Sequence, residues 1–253
     1  MRLGKNQGRY FGETIDIDKV LAEARTVAQQ NGWSTELIYQ SADKEILALK
    51  RLGVRESRRI YLSTGIHGDE PAGPLSVLGL LQEDRWPEDA SIWLCPCLNP
   101  TGFRRNTREN AAGVDLNRDY LEPGAAETVA HLAWLDAQPA FDVTLCLHED
   151  WESHGFYVYE LNPDGQPSFA EPMVKAVAEV CPIDLSEVIE GREAYQGIIR
   201  PSVDPLSRPQ WPEAFYLLKH KTRLSYTLEA PSDFIMSARV AALQAAVRTV
   251  LGG

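Results

Sequence analysis

Short runs rich in β-branched and aromatic residues alternate along this chain with segments whose apolar positions recur at helical spacing. That alternation admits few architectures. Val20, Leu21, Ala24, Val27 and Ala28 predict a helix over 16–30, closed by Asn31-Gly32. Strands are expected over 35–40, 45–51 and 59–64, then a helix over 71–81 with Pro71 near its first turn. A strand over 91–98 runs into a loop rich in Asn, Arg and Gly. A helix over 125–137, strands over 142–147 and 155–161, a helix over 168–180, a strand over 224–228 and a closing helix over 233–251 complete the pattern. Strands separated by helices point to an α/β fold, here a single domain over 1–253 with a mixed, largely parallel sheet and helices on both faces. The Pro-rich, weakly periodic stretch 182–221 is expected as loop and short helix above the carboxyl ends of the strands, where binding loops gather.

Composition removes several function classes. With 253 residues, a net charge of −11 and pI near 5.0, the chain lacks the basic face that nucleic acid requires. An anionic membrane is equally unsuited as a partner. No run of about 18 apolar residues exists to span a bilayer, and the first ten residues lack the apolar core of a signal peptide. Cys95, Cys97, Cys146 and Cys181 are too few for a disulfide scaffold, and Cys95-Pro96-Cys97 is C-x-C rather than a redox or zinc C-x-x-C. A reduced, cytoplasmic protein is expected.

His67 and Glu70 stand three residues apart where the apolar run 60–64 gives way to a helical pattern. A turn there lets imidazole and carboxylate converge on one cation, and Gly65 and Gly68 permit a cramped backbone. By itself H-x-x-E also describes a surface turn whose acid caps the next helix. His148 closes a second strand-like run, 141–147, and lone strand-end histidines are usually just hydrogen-bonded. Taken together, two His and one Glu form a ligand set for a single Zn2+ with a fourth position open to water.

Further along come Asn99-Pro100-Thr101-Gly102, Thr107-Arg108-Glu109-Asn110 and Gly113-Val114-Asp115-Leu116-Asn117-Arg118. With these the chain resembles the zinc carboxypeptidases of the M14 type. Their members carry H-x-x-E, an Asn-Pro-x-Gly turn, an Arg, a Gly-Val-Asp-Leu-Asn-Arg stretch, a later His and a later Glu. All occur here in order from His67 to Glu229, over roughly two thirds of the chain. The chain's shortness makes it similar to compact bacterial members acting on murein or other small peptides. The resemblance implies that Arg108 polarises the scissile carbonyl, rather than nearby Arg104 or Arg105, and that Glu229 is the general base. Independently of the name, the planar fork of Arg118 and the amide of Asn117 suit a free C-terminal carboxylate. A carboxylate such as Glu229, at the end of an apolar strand, is costly unless partnered or employed.

The function expected is zinc-dependent hydrolysis of the C-terminal amide bond of a small peptide. An alternative is an N-acyl amino acid deacylase of the aspartoacylase and succinylglutamate desuccinylase kind, which shares the zinc set. A non-catalytic metal-binding protein is the third reading, and the presence of Glu229 weighs against it. Glu149 or Asp150 is a candidate acceptor to orient a ligand His. Tyr157, Tyr159, Tyr195 and Tyr216 compete for the family's substrate-side tyrosine, and that role stays open. His131, His154 and His220 read as structural or surface residues, with His154 the nearest rival ligand. Arg200, Arg208 and Asp204 are candidate liners of a specificity pocket.

Overall fold

A computed structural model describes residues 2–6, 13–55, 58–202 and 204–252. Seven α-helices are described: α1 (Ile17–Gln30), α2 (Ala72–Glu83), α3 (Pro100–Arg105), α4 (Ala126–Ala137), α5 (Ala170–Val177), α6 (Glu213–His220) and α7 (Met236–Leu251). The strands are β1 (Ser34–Gln40), β2 (Glu45–Arg51), β3 (Arg58–Thr64), β4 (Ala90–Cys95), β5 (Val143–Asp150), β6 (Tyr157–Leu161), β7 (Val188–Ile189), β8 (Arg192–Glu193), β9 (Ile198–Ile199) and β10 (Ser225–Pro231). Eight of them form one sheet in the order β1-β2-β4-β3-β5-β10-β6-β9, while β7 and β8 make a small hairpin.

The centre β4-β3-β5-β10 is parallel, and antiparallel pairs join β2 to β4, β1 to β2 and β6 to β10. This is the mixed, largely parallel α/β sheet that the alternation predicts. Period-two side-chain alternation divides the core between its faces. Ile60 and Leu62 of β3 pack with residues of α1, α2 and α7, whereas Tyr61 between them packs with Phe141, Leu135 of α4 and Leu217 of α6. Both faces are therefore covered.

From β3 the chain crosses to β4 on one side and then returns to β5 on the other. Such a reversal of strand order opens a crevice at the carboxyl ends of the strands. Here it lies between β3 and β5.

Several boundaries depart from expectation for local reasons. β4 stops at Cys95 rather than at residue 98, since Pro96 has no N–H for the ladder. The polar loop that follows contains α3, with Pro100 in its first turn and the Asn99 side chain accepting from the Gly102 N–H. The closing helix begins at Met236, three residues late. Asp233 instead accepts the backbone N–H groups of Gly4 and Lys5. All four cysteines are buried and free of disulfides. Among the described residues no helix is long and apolar enough to cross a membrane.

Candidate active site

The crevice gathers His67, Glu70 and His148, all buried, with one ligand atom from each lying within 4.8 Å of the others. Glu70 lies between the two imidazoles. Its Oε1 is 2.5 Å from His67 Nδ1 and its Oε2 is 2.9 Å from His148 Nδ1. Two glycines permit the loop that delivers them. Gly65 turns the chain off β3 with φ +65°, and Gly68 packs so closely that an added Cβ would lie 2.0 Å from the carbonyl carbon of Gly102.

Asn99 binds this loop to the rest of the site. Its Nδ2 donates to the carbonyls of Ile66 (3.1 Å) and Arg108 (3.2 Å), while its Oδ1 caps α3. The Asn-Pro-x-Gly turn is thus a junction between the loop of His67 and the loop of Arg108.

Asp115 organises the other side. Its Oδ1 lies 3.3 Å from His67 Nε2, and its Oδ2 accepts from Arg108 Nε at 2.9 Å. Arg108 Nη1 then reaches to 3.8 Å from Glu70. Ionised carboxylates only accept, so with Asp115 at Nε2 and Glu70 at Nδ1 both ring nitrogens of His67 face acceptors, and the proton shared with Glu70 at Nδ1 is the one that a metal would replace. Two acceptors 2.5 Å apart repel unless a cation or proton lies between them. The donor set fits a divalent metal such as zinc, for which two imidazoles and a carboxylate are ordinary ligands.

Sequence reasoning gave Asp115 no role and offered Glu149 or Asp150 as the acceptor for a ligand His. The structure employs both elsewhere. Glu149 takes the Ala72 N–H and pairs with buried Arg239 at 2.7 Å, while Asp150 takes the Tyr157 hydroxyl and the Glu152 N–H. Asp115 was nonetheless legible as an acid two residues from an Asn-Arg pair.

Burial and charge shift the site's acids in opposite directions. Burial raises the Glu70 carboxyl, but the facing His67 and His148 outweigh it and hold Glu70 below the usual carboxylate range. Burial, then the charges of Glu70, Glu190 and Asp150, push Glu229 well up. Asp69, beside Glu70 in the sequence, is raised to about 6, mainly by burial.

Glu229 stands on β10 in register with His148 of β5, so base candidate and ligand occupy adjacent strands. Beside them opens a cavity of about 660 Å³ with Asn117, Arg118, Glu229, Cys146, Leu161 and Thr227 among its lining. A second lobe of about 390 Å³ is lined by His67, Glu70, Arg108, Asp69, Asp150 and Glu152. The Asn117 Oδ1 accepts the Glu213 N–H at 2.9 Å, which leaves its amide hydrogens for the crevice. Glu213 was not singled out in the sequence. It is buried under the site, taking the hydroxyls of Tyr61 (2.6 Å) and Ser63 (2.8 Å), and burial raises its carboxyl to about 7.

The competing candidates separate by position. His154 has 68% of its side chain exposed, with its Nδ1 3.9 Å from Asp184, away from the ligand set. His131 is buried between Tyr61 and Tyr120, and the His220 ring lies tilted against that of Tyr216. Arg104 pairs with Asp18, and Arg105 donates to the Ala111 carbonyl. Among the tyrosines Tyr159 lines the larger cavity, donating to Glu190, whereas Tyr195 is exposed and Tyr216 bonds Asp136. Arg208, Arg200 and Asp204 line the same cavity, but Arg200 is held by Glu160 and Glu171 and Asp204 caps the turn at 205–207.

Comparison with known proteins gives a consistent class. Over residues 56–180 the sequence matches the model of the succinylglutamate desuccinylase/aspartoacylase catalytic domain. Carboxypeptidase 2 of Trichophyton tonsurans is 29% identical over 126 residues, which is 41% of this chain and 23% of that protein. Carboxypeptidase SOL1 of Arabidopsis thaliana is 34% identical over 91 residues, 28% of this chain and 18% of that protein. Each match spans less than a quarter of the relative's length.

Solved structures extend the likeness to nearly the whole fold. A Shewanella amazonensis protein, whose metallopeptidase assignment is itself provisional, superposes with a TM-score of 0.82 at 22% identity, covering 95% of this chain and 97% of that one. A metallo-carboxypeptidase from Burkholderia cenocepacia gives 0.70 at 19% identity over 94% and 69%, and carboxypeptidase A of Helicoverpa armigera gives 0.64 at 15% over 99% and 77%. The chain thus has the zinc-carboxypeptidase fold, and its sequence likeness to the succinylglutamate desuccinylase/aspartoacylase domain and to carboxypeptidases supports an M14-like hydrolase.

Proposed function

We propose that this protein is a zinc-dependent hydrolase that removes the C-terminal residue of a small peptide in the cytoplasm. His67, Glu70 and His148 would hold one zinc ion. When bound, zinc supplies a Lewis acid and lowers the pKa of a coordinated water toward neutrality. Glu229 takes a proton from the attacking water and returns it to the leaving nitrogen, a role its raised proton affinity suits. Arg108, held by Asp115, faces the carbonyl oxygen as negative charge develops there. The Arg118 fork and the amide of Asn117 hold the terminal carboxylate.

The observation that carries this reading is the layout of the crevice. The ligand set, the Arg108 guanidinium and the carboxylate of Glu229 meet at one point. Arg118 and Asn117 line both that lobe and the adjoining cavity of about 660 Å³. A binder with a structural metal has no use for a free acid at that point.

Deacylation of an N-acyl amino acid is the second reading, favoured by the family model matched over residues 56–180. It uses the same groups and differs in the acyl side of the substrate. That side is the lobe with Asp69, Asp150 and Glu152, where an anionic acyl group meets like charges. Turnover of N-blocked dipeptides, compared with that of N-acetyl-aspartate and N-succinyl-glutamate, decides between them. Hydrolysis of the dipeptides alone is expected, and cleavage of the acylated amino acids alone would overturn the peptidase reading.

A further inference from the structure

We propose that Glu213 is a positioning residue. Its side chain pins the start of α6 to the strands bordering the crevice, so that its own backbone N–H holds the Asn117 amide toward the substrate carboxylate. The inference rests on the carboxylate-binding role given above to Asn117 and Arg118, which the peptidase and deacylase readings share. Glu213 is the first residue of α6 and is buried. Its carboxylate takes the Tyr61 hydroxyl at 2.6 Å, the Ser63 hydroxyl at 2.8 Å and the Cys146 thiol. Those donors come from β3 and β5, the strands that deliver His67 and His148. Packing alone does not call for an acid there, because Ala214, Phe215, Leu217 and Leu218 already bury α6. Burial instead penalises the group, raising its carboxyl to about 7.

What the anchored turn does is visible at Asn117. A backbone N–H bonds only to an acceptor, so the 2.9 Å bond from the Glu213 N–H selects the oxygen of the Asn117 amide. The nitrogen is thereby turned to the crevice as a donor. A reversed amide would set its oxygen against an incoming carboxylate. The Asn117 carbonyl in turn accepts from Arg118 Nη1 at 2.7 Å, so both members of the pair depend on where residue 117 stands.

A second path returns from the same segment to the same carboxylate. Tyr120 gives its N–H to the Trp211 carbonyl at 3.2 Å and its hydroxyl to His131 Nδ1 at 2.7 Å. Tyr61 gives its proton to Glu213, so its oxygen accepts from His131 Nε2 at 3.0 Å. Burial lowers His131 to about 3, and a neutral imidazole has one proton to give and one lone pair to fill, as this chain of bonds requires. Tyr120, His131, Tyr61 and Glu213 are all buried, so the segment 116–120 is tied to the sheet at both ends.

The test is steady-state kinetics of the zinc-loaded protein on the best substrate among N-blocked dipeptides, N-acetyl-aspartate and N-succinyl-glutamate, all of which carry the α-carboxylate in question. Glu213→Leu should raise KM at least about tenfold, the low end for a hydrogen bond to a charged group, with kcat within about twofold and zinc content unchanged. Glu213→Gln, which keeps an acceptor for Tyr61, should retain most of the parent's affinity. Tyr61→Phe combined with Ser63→Ala removes two donors and keeps the carboxyl. It should raise KM in the same direction, and it carries the test if Glu213→Leu fails to fold. Asn117→Ala should raise KM by itself, and neither change should add to it in that background. An unchanged KM, or a rise that persists in full in the Asn117→Ala background, overturns the proposal. Crystal structures read the same point without turnover: in either variant the N–H of residue 213 should leave Asn117 Oδ1. An Asn117 amide held as in the parent overturns the proposal. A displaced amide, in a protein whose parent hydrolyses none of these compounds, supports the positioning role and defeats the hydrolase reading.

Discussion

At the scale of single residues, the candidate site depends on what each group is forbidden to do. Asp115 can only accept, so it holds a proton on His67 Nε2 and orients the Arg108 guanidinium through opposite oxygens. Asp115→Ala should weaken zinc binding about 10- to 100-fold, the usual cost of losing a carboxylate behind a ligand imidazole, as read by chelator competition. His148→Ala removes a ligand and should abolish stoichiometric zinc in metal analysis. Glu229→Gln should keep its zinc and lose at least about a hundredfold in rate, the low end for a general base. A Gln variant as fast as the parent would show that another group moves the proton. The seven residues singled out in the sequence converge on one crevice because each lies at or just beyond a strand end or in a motif loop. Asp115 and Glu213 were less legible, since their work is done through other side chains, and those contacts have no signature in spacing.

Among elements, the short helix α3 and the loop after β3 depend on each other. Asn99 contributes a cap through its oxygen and two bridges through its nitrogen. Asn99→Asp therefore separates the functions: the cap survives, while the carbonyls of Ile66 and Arg108 lose the Nδ2 donor, the second keeping only the long Gly68 N–H contact. About 2 kcal/mol of stability should be lost in urea unfolding, together with zinc affinity, and Asn99→Ala should cost about 1 kcal/mol more through the missing cap. Normal zinc affinity in Asn99→Asp would mean that the loop holds its shape unaided. Periodicity revealed the long helices and central strands because burial on a regular surface repeats. It missed α3, whose six residues are too few to repeat, although Asn before Pro was already a start signal. The two-residue strands β7, β8 and β9 are set by tertiary contact and had no pattern to read.

For the molecule as a whole, the buried Glu213 links site and stability. Its carboxyl is raised to about 7 from an ordinary value of 4.5, so the folded state holds this proton more firmly than the unfolded chain. The groups around it (Tyr61, Ser63 and Cys146) are neutral donors, and none is a cation that would hold it ionised. Its contribution is full below about pH 4.5 and is lost as pH rises through about 7, up to about 3 kcal/mol. Urea midpoints at pH 5.5 and 8 should therefore fall with pH by more in the parent than in Glu213→Gln. A parallel fall in both would place the proton elsewhere. The α/β class was readable from alternation, whereas the order of strands was not, because nothing local tells β10 to insert between β5 and β6. That insertion has a consequence in time. The candidate ligand atoms come from residues 67–148, whereas the candidate base stands on residues 225–231, in the middle of a sheet whose other strands precede them in sequence. Pairing β10 with β5 joins segments far apart in sequence, and non-local pairing of that kind must be closed against chain entropy, which slows folding.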